Sequence, residues 1–257
     1  MDRSREPLPT RVEDTPALPE AYDDALESGL DALTLTLTPA ARAAIDGHAR
    51  LLIAWTTAIN LTAIRDPAAV AIGHVIDSLT ALAILRERGA DRMVDLGSGG
   101  GYPGFPLAAA LPMERALLIE PIGKKATFLS VVATATGLAD TVEAAPVRAE
   151  VLAGDRRHRG RWPAVTARAV AGLAELIELA FPLLLPGGCL VAWKRGDLGR
   201  ELAAAERAMA ALGGGKIDVR PVSVAGLADH RLVVATIRAA APPEYPRDPA
   251  TRKRRPW

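Results

Sequence analysis

The chain has 257 residues, 49% hydrophobic and 24% charged, enough apolar content for one good core with a small appended element. No apolar run is expected to span a bilayer, and the charged, proline-bearing N-terminus lacks the apolar stretch of a signal peptide, so the expectation is a soluble, cytoplasmic protein without a membrane partner. The net charge of +1 hides an asymmetry: residues 1–31 hold nine acids against three arginines, a net of −6, which leaves +7 on the remainder.

Residues 1–21 are acidic, proline-rich and without a motif, and are expected to be a disordered leader. Residues 22–90 read as an N-terminal helical extension, with Ile45, Ala49, Leu52 and Trp55 at core spacing. Thr38-Pro39 has the form of an N-cap followed by proline at the first helical position. Asn60-Leu61-Thr62-Ala63-Ile64-Arg65-Asp66-Pro67 interrupts the pattern. In the helix after it, His74, Asp77 and Ser78 fall on one side, and the plain reading is an exposed polar face carrying one surface histidine.

Residues 91–241 form the main domain. Met93-Val94-Asp95-Leu96 is a short apolar run carrying a carboxylate, and four glycines follow within five residues, Gly97, Gly99, Gly100 and Gly101. That pattern predicts a buried strand feeding a tight turn. Residues 105–111 are apolar and alanine-rich and predict a helix, with Pro103 or Pro106 in its first turn. Such a loop suits a nucleotide, because glycine admits close approach to the backbone and the helix N-terminus offers free amides. Gly99-x-Gly101-x-x-Gly104 matches the dinucleotide fingerprint, a weak signal alone. The fuller Asp95-x-Gly97-x-Gly99-x-Gly101 resembles the first motif of the class I S-adenosylmethionine methyltransferases, whose cationic ligand suits an acid there.

The alternation continues. Residues 115–120 predict a second strand closed by Glu120, placed to accept from ribose hydroxyls. Helix 124–135, strand 142–145 and the segment Val147-Arg148-Ala149-Glu150 come next, then strand 162–170 and helix 174–184. Pro186-Gly187-Gly188 reads as a turn before strand 189–194, which holds the only cysteine, Cys189, as a small buried hydrophobe. Helix 198–212 and a hairpin of strands 217–222 and 230–237 complete the domain, and residues 242–257 form a basic tail. The whole predicts a doubly wound, Rossmann-like α/β fold with ligand over the carboxyl ends of strands one, two and four. Arg156-Arg157-His158-Arg159-Gly160-Arg161 and Arg252-Lys253-Arg254-Arg255 suit a polyanion, and the tail is expected to reach out to RNA.

Six motifs in order resemble one family: residues 60–65, His74-Val75-Ile76-Asp77-Ser78-Leu79, Asp95 through Gly104, Lys124-Lys125 before Phe128-Leu129, Arg148-Ala149-Glu150, and Ala167-Arg168-Ala169. They are similar to the successive signatures of the 16S rRNA guanine-N7 methyltransferase G family, also known as glucose-inhibited division protein B, over residues 45–247. The resemblance implies methylation of one guanine in the decoding region of small-subunit rRNA. It also implies contact with S-adenosylmethionine at Gly97, Tyr102, Ala149, Glu150 and Arg168, to which the residue reading adds Asp95, Gly99 and Glu120. Tyr102 and Thr166 depart conservatively from the usual pattern.

What is missing agrees with N7 chemistry. The Asn- or Asp-Pro-Pro-aromatic loop common in amine methylation is replaced by Ala167-Arg168-Ala169-Val170, and Cys189 lies too deep to serve as a nucleophile on carbon. Guanine N7 has an in-plane lone pair and no proton, so alignment suffices and no acid, base or nucleophile is assigned. Asn60, His74, Lys124 and Lys125 are placed near the RNA as positioning groups. The expected partner is 16S rRNA or the small ribosomal subunit, with a monomeric enzyme and no metal. A small-molecule methyltransferase, a NAD-dependent oxidoreductase using Gly99, Gly101, Gly104 and Glu120, and a non-catalytic RNA-binding protein are the alternatives.

Overall fold

The computed structural model describes residues 7–257. Helices α1 (Glu20–Ala32) and α2 (Pro39–Thr56) open it, and Thr38 caps α2 through its hydroxyl, which accepts from Ala41 N. The expected core positions Ile45, Ala49, Leu52 and Trp55 are all buried. A long helical stretch follows: α3 (Pro67–Val70), a π-helical segment Ala71–Ile76, α4 (Asp77–Leu79) and α5 (Leu82–Glu87). Contrary to the sequence expectation, Pro67–Glu87 is long and apolar enough to cross a bilayer by length and composition. Its apolar residues Val70, Ala71, Val75, Ile76 and Leu79 belong to the core, as they would in a buried helix.

Strands β1 (Arg92–Leu96), β2 (Arg115–Ile119), β3 (Val142–Ala145), β4 (Trp162–Arg168) and β5 (Leu184–Arg195) are parallel, joined by α6 (Gly104–Ala110), α7 (Gly123–Ala135), α8 (Ala149–Gly154) and α9 (Leu173–Ala180). After α10 (Gly199–Ala211), β6 (Gly214–Pro221) and β7 (His230–Ile237) form the hairpin, with β7 antiparallel to both β5 and β6. The order is β3-β2-β1-β4-β5-β7-β6, and α11 (Pro249–Arg254) ends the chain. Strand residues alternate between two cores. Met93, Ala116, Leu118, Val191 and Trp193 face the helical extension with α6 and α7, while Val94, Leu96, Leu117, Ile119 and Leu190 face α8, α9 and α10. Connections leave β1 toward β2 and β4 toward β5, so the strand order reverses between β1 and β4 and opens a crevice at their carboxyl ends.

Several expectations are corrected. The leader from residue 7 onward is ordered against the helices. Leu8, Val12 and Leu18 pack on the core, Trp55 Nε1 donates to Pro9 O at 2.7 Å, and Arg50 Nε donates to Pro16 O at 2.9 Å. Apolar residues spaced along the leader and satisfied carbonyls outweigh its acidity; residues 1–6 lie outside the described part. Asp77 and Ser78 are buried and His74 is largely so, because the exposed-face reading took no account of β4, β5 and β7 covering that side. Pro186-Gly187-Gly188 is no separate turn. It lies within β5, where the ladder with β4 shifts register.

Candidate active site

The turn after β1 needs glycine in fact as well as in pattern. Gly97, Gly99 and Gly101 have φ of 65°, 56° and 94°, a region that strains any residue with a Cβ. A Cβ on Gly104 would lie 2.7 Å from the Asp95 Cβ, so the first turn of α6 closes directly on the acid that ends β1.

Asp95 is therefore not where a ligand contact was expected. It is fully buried, its Oδ1 accepts from Thr166 Oγ1 at 2.7 Å, and its Oδ2 accepts from Gly104 N at 3.3 Å. Burial raises its carboxyl from 3.8 to about 6, against the opposing pull of Ser98, Thr166 and Gly104. It ties the loop, α6 and β4 together from behind. Glu120 stands at the expected strand end and lines the cleft, but its carboxylate also accepts from Gly99 N at 3.0 Å and Ile122 N at 2.9 Å. Each oxygen keeps a further lone pair, so the loop is held without closing the group to a ribose.

A cleft of 390 Å³ brings together Gly97, Gly99, Tyr102, Glu120, Lys125, His74 and Arg168, seven of the residues expected there. A second cavity of 240 Å³ shares Gly97 and Val170 with it and contains Ala149 and Glu150. A third, of 460 Å³, shares His74, Arg168 and Ala169 with the cleft and continues to Trp193, Arg195 and His230. Lys124 is exposed one residue from the wall, and Asn60 is exposed beside the lining residues Leu61 and Thr62; neither reaches the cleft itself.

Tyr102 is held between two imidazoles, with His48 stacked at 4.4 Å and His74 at 4.7 Å between ring centroids, and the Arg168 guanidinium 5.6 Å from its ring centre. Burial lowers His48 to about 3 and, together with the facing Arg168, lowers His74 to about 4, so both rings are neutral at neutral pH. His48 Nε2 then donates to Gly100 O at 2.7 Å, fixing the glycine loop to α2. Sequence reading missed His48, which sits within a regular helical run of core residues, and assigned Arg252 to an RNA-directed tail, whereas its side chain lines the Ala149 cavity. Arg252 is only 8% exposed and pairs with Glu150 and Glu175, so the tail does not reach outward at that position as expected.

The reversed strand order, the glycine loop and the acid closing β2 define a class I S-adenosylmethionine-dependent methyltransferase. An O-methyltransferase from Bacillus cereus in complex with SAH shares the fold, with a TM-score of 0.55 over 88% of this chain and 99% of that one at 15% identity. The family described as rRNA small subunit methyltransferase G matches residues 42–228, and this chain belongs to it. It is 41% identical over 205 residues to the ribosomal RNA small subunit methyltransferase G of Roseiflexus sp. (strain RS-1), covering 80% of this chain and 87% of the relative. The enzyme of the same name from Rubrobacter xylanophilus is 38% identical over 237 residues, covering 91% and 90%.

Proposed function

We propose that this protein methylates N7 of one guanine in the 16S rRNA of the small ribosomal subunit, using S-adenosylmethionine, as a cytoplasmic monomer that needs no metal. The residues present fit that cofactor. Gly97, Gly99 and Gly100 line the cleft, with open space where a Cβ on Gly99 would stand, Glu120 keeps acceptors for a ribose, and Ala149 and Glu150 line the adjoining cavity where a base can lie. Bound there, S-adenosylmethionine would supply an electrophilic methyl group to the N7 lone pair, its sulfur keeping the electron pair of the broken C–S bond.

The observation that carries the N7 reading is the hydrogen bonding of His74, the one imidazole that lines the cleft. His74, the basic side chain nearest a base catalyst in type, has Nδ1 accepting from Arg168 Nη2 at 3.1 Å and Nε2 beside Thr62 Oγ1 at 2.7 Å, so no lone pair is free to take a proton. Cys189 is fully buried in β5 and its thiol is pushed up to about 11, far from a thiolate. A nucleophile that must lose a proton finds no free imidazole and no thiolate, and the carboxylate of Glu120 is committed to the loop and the ribose side of the cleft, whereas N7 has no proton to lose. The remaining work is alignment by Tyr102, Arg168 and Lys125.

The test is to map N7-methylguanine by reduction and aniline cleavage in small-subunit rRNA incubated with protein and S-adenosylmethionine. One new protein-dependent cleavage is expected. Methyl transfer to a base amine, a ring carbon or a small molecule alone would overturn the reading.

A further inference from the structure

The Asp77 carboxylate fixes the direction of a hydrogen-bond chain that ends in the cleft. It is 1% exposed; Oδ1 accepts from His230 Nδ1 at 2.7 Å and Oδ2 from Arg168 Nη1 at 2.8 Å. Arginine has donors only, so Arg168 Nη2, 3.1 Å from His74 Nδ1, donates to that nitrogen. The neutral imidazole therefore carries its proton on Nε2. That atom lies 2.7 Å from Thr62 Oγ1, so the imidazole donates and the hydroxyl accepts. Thr62 Oγ1 accepts a second time, from Ile64 N at 3.0 Å. Both lone pairs are then occupied, and only the hydroxyl proton is left to bond. Among the described residues it meets no acceptor, and Thr62 lines the cleft beside Gly97, Gly99 and Tyr102.

We propose that the Thr62 hydroxyl donates to O6 of the target guanine and makes the site select guanine at the methylated position. The assignment rests on the N7-guanine reading above. N7 and O6 lie side by side on one edge of guanine, so a base offering N7 to the methyl group offers O6 next to it. Adenine has the same N7 but an amino group in place of O6. An ordinary threonine would rotate and accept from that amine, but here His74 Nε2 and Ile64 N have taken both acceptor positions, and donor would face donor. Residues 61–64 also form the divide between the two spaces concerned: Leu61 and Thr62 line the cleft, while Ile64 lines the 460 Å³ cavity with Arg168, Trp193, Arg195 and His230. That cavity gives the base a way in beside the donor.

The experiment uses the full chain, S-adenosylmethionine and subunit RNA carrying guanine, 2-aminopurine or adenine at the mapped position. Wild-type protein is expected to methylate guanine at least tenfold faster, as kcat/KM, than 2-aminopurine, which keeps N7 and lacks O6; a ratio near one overturns the assignment whatever any variant does. Thr62→Val should lose about tenfold on guanine and nothing further on 2-aminopurine, the size of one hydrogen bond. Thr62→Ser, which keeps both acceptor and donor roles, should restore the guanine rate. An equal loss on both bases overturns the assignment by showing a structural role. Tenfold weaker binding of S-adenosylhomocysteine by Thr62→Val overturns it by placing the hydroxyl on the amino-acid carboxylate of the cofactor. Absence of N7-methylguanine from wild-type reactions would sink the reading of function and this assignment together, whereas wild-type rates from Thr62→Val sink this assignment alone.

Discussion

Asp95 and Glu120 close neighbouring strands, yet burial gives them opposite tasks. The folded state binds the Asp95 proton more tightly than the unfolded chain, about 6 against 3.8. Its contribution to stability is therefore complete below pH 3.8 and is lost as pH rises through 6, roughly 3 kcal/mol in all. Asp95→Asn removes that titration while Asn can still accept from Gly104 N and donate to Thr166 Oγ1. In urea unfolding from pH 4 to pH 7, the wild type should lose stability relative to the variant by about that amount; a constant difference would show an ordinary carboxyl. Glu120 keeps its contact with the cleft. Glu120→Ala should weaken S-adenosylhomocysteine binding by roughly 1–3 kcal/mol. It should also lower the melting temperature, because Gly99 N and Ile122 N lose their acceptor. Unchanged affinity by calorimetry would move the ribose contact elsewhere.

At the scale of elements, the glycine loop was legible because its demand is local. Positive φ at Gly97, Gly99 and Gly101 leaves a mark in composition, as does the strand alternation that feeds the two cores. The stack of His48, Tyr102 and His74 was not legible. It joins α2, the loop and the π-helical segment, and nothing in the spacing of those residues says that their rings meet. The stack makes the junction acid-sensitive. The folded values of His48 and His74, about 3 and about 4, lie below the usual 6.5, so the stability they give is present above pH 6.5 and is lost as pH falls. Each contributes up to about 1.4 kcal/mol per pH unit, and the two together outweigh what Asp95 returns over the same range. Stability should therefore fall from pH 6.5 toward 4.5, and His48→Gln, which keeps a donor for Gly100 O, should remove most of that net fall, because Asp95 already offsets much of the other histidine's share. An unaltered slope would place the acid lability outside the stack.

For the whole molecule, the described part of the leader, from residue 7, and the tail are built into the body. Charge alone suggested a disordered leader and a free basic tail, because partners far away in sequence leave no local pattern. Arg252 finds Glu150 at 102 residues' separation, and Arg247 finds Glu178, whose side chain is 0% exposed, at 69. Trp257 Nε1 also donates to Glu178 at 2.6 Å, and the Arg247 guanidinium lies 4.5 Å from the centre of the Trp257 ring. Ending the chain at Ala241 would leave Glu178 buried and unpaired, a loss on the order of 3–5 kcal/mol. Arg252→Ala is the gentler probe, since it leaves Arg247 to pair with Glu178 and removes the cation from the wall of the Ala149 cavity together with one donor to Arg247 O. KM for S-adenosylmethionine should rise about tenfold, as expected for one charge-assisted contact that positions Glu150, with kcat at saturation little changed. The salt dependence of RNA binding should keep its slope, because the Arg252 charge is already spent on Glu150 and Glu175. A slope lower by about one, with cofactor binding intact, would instead put Arg252 on a phosphate and overturn this account of the tail.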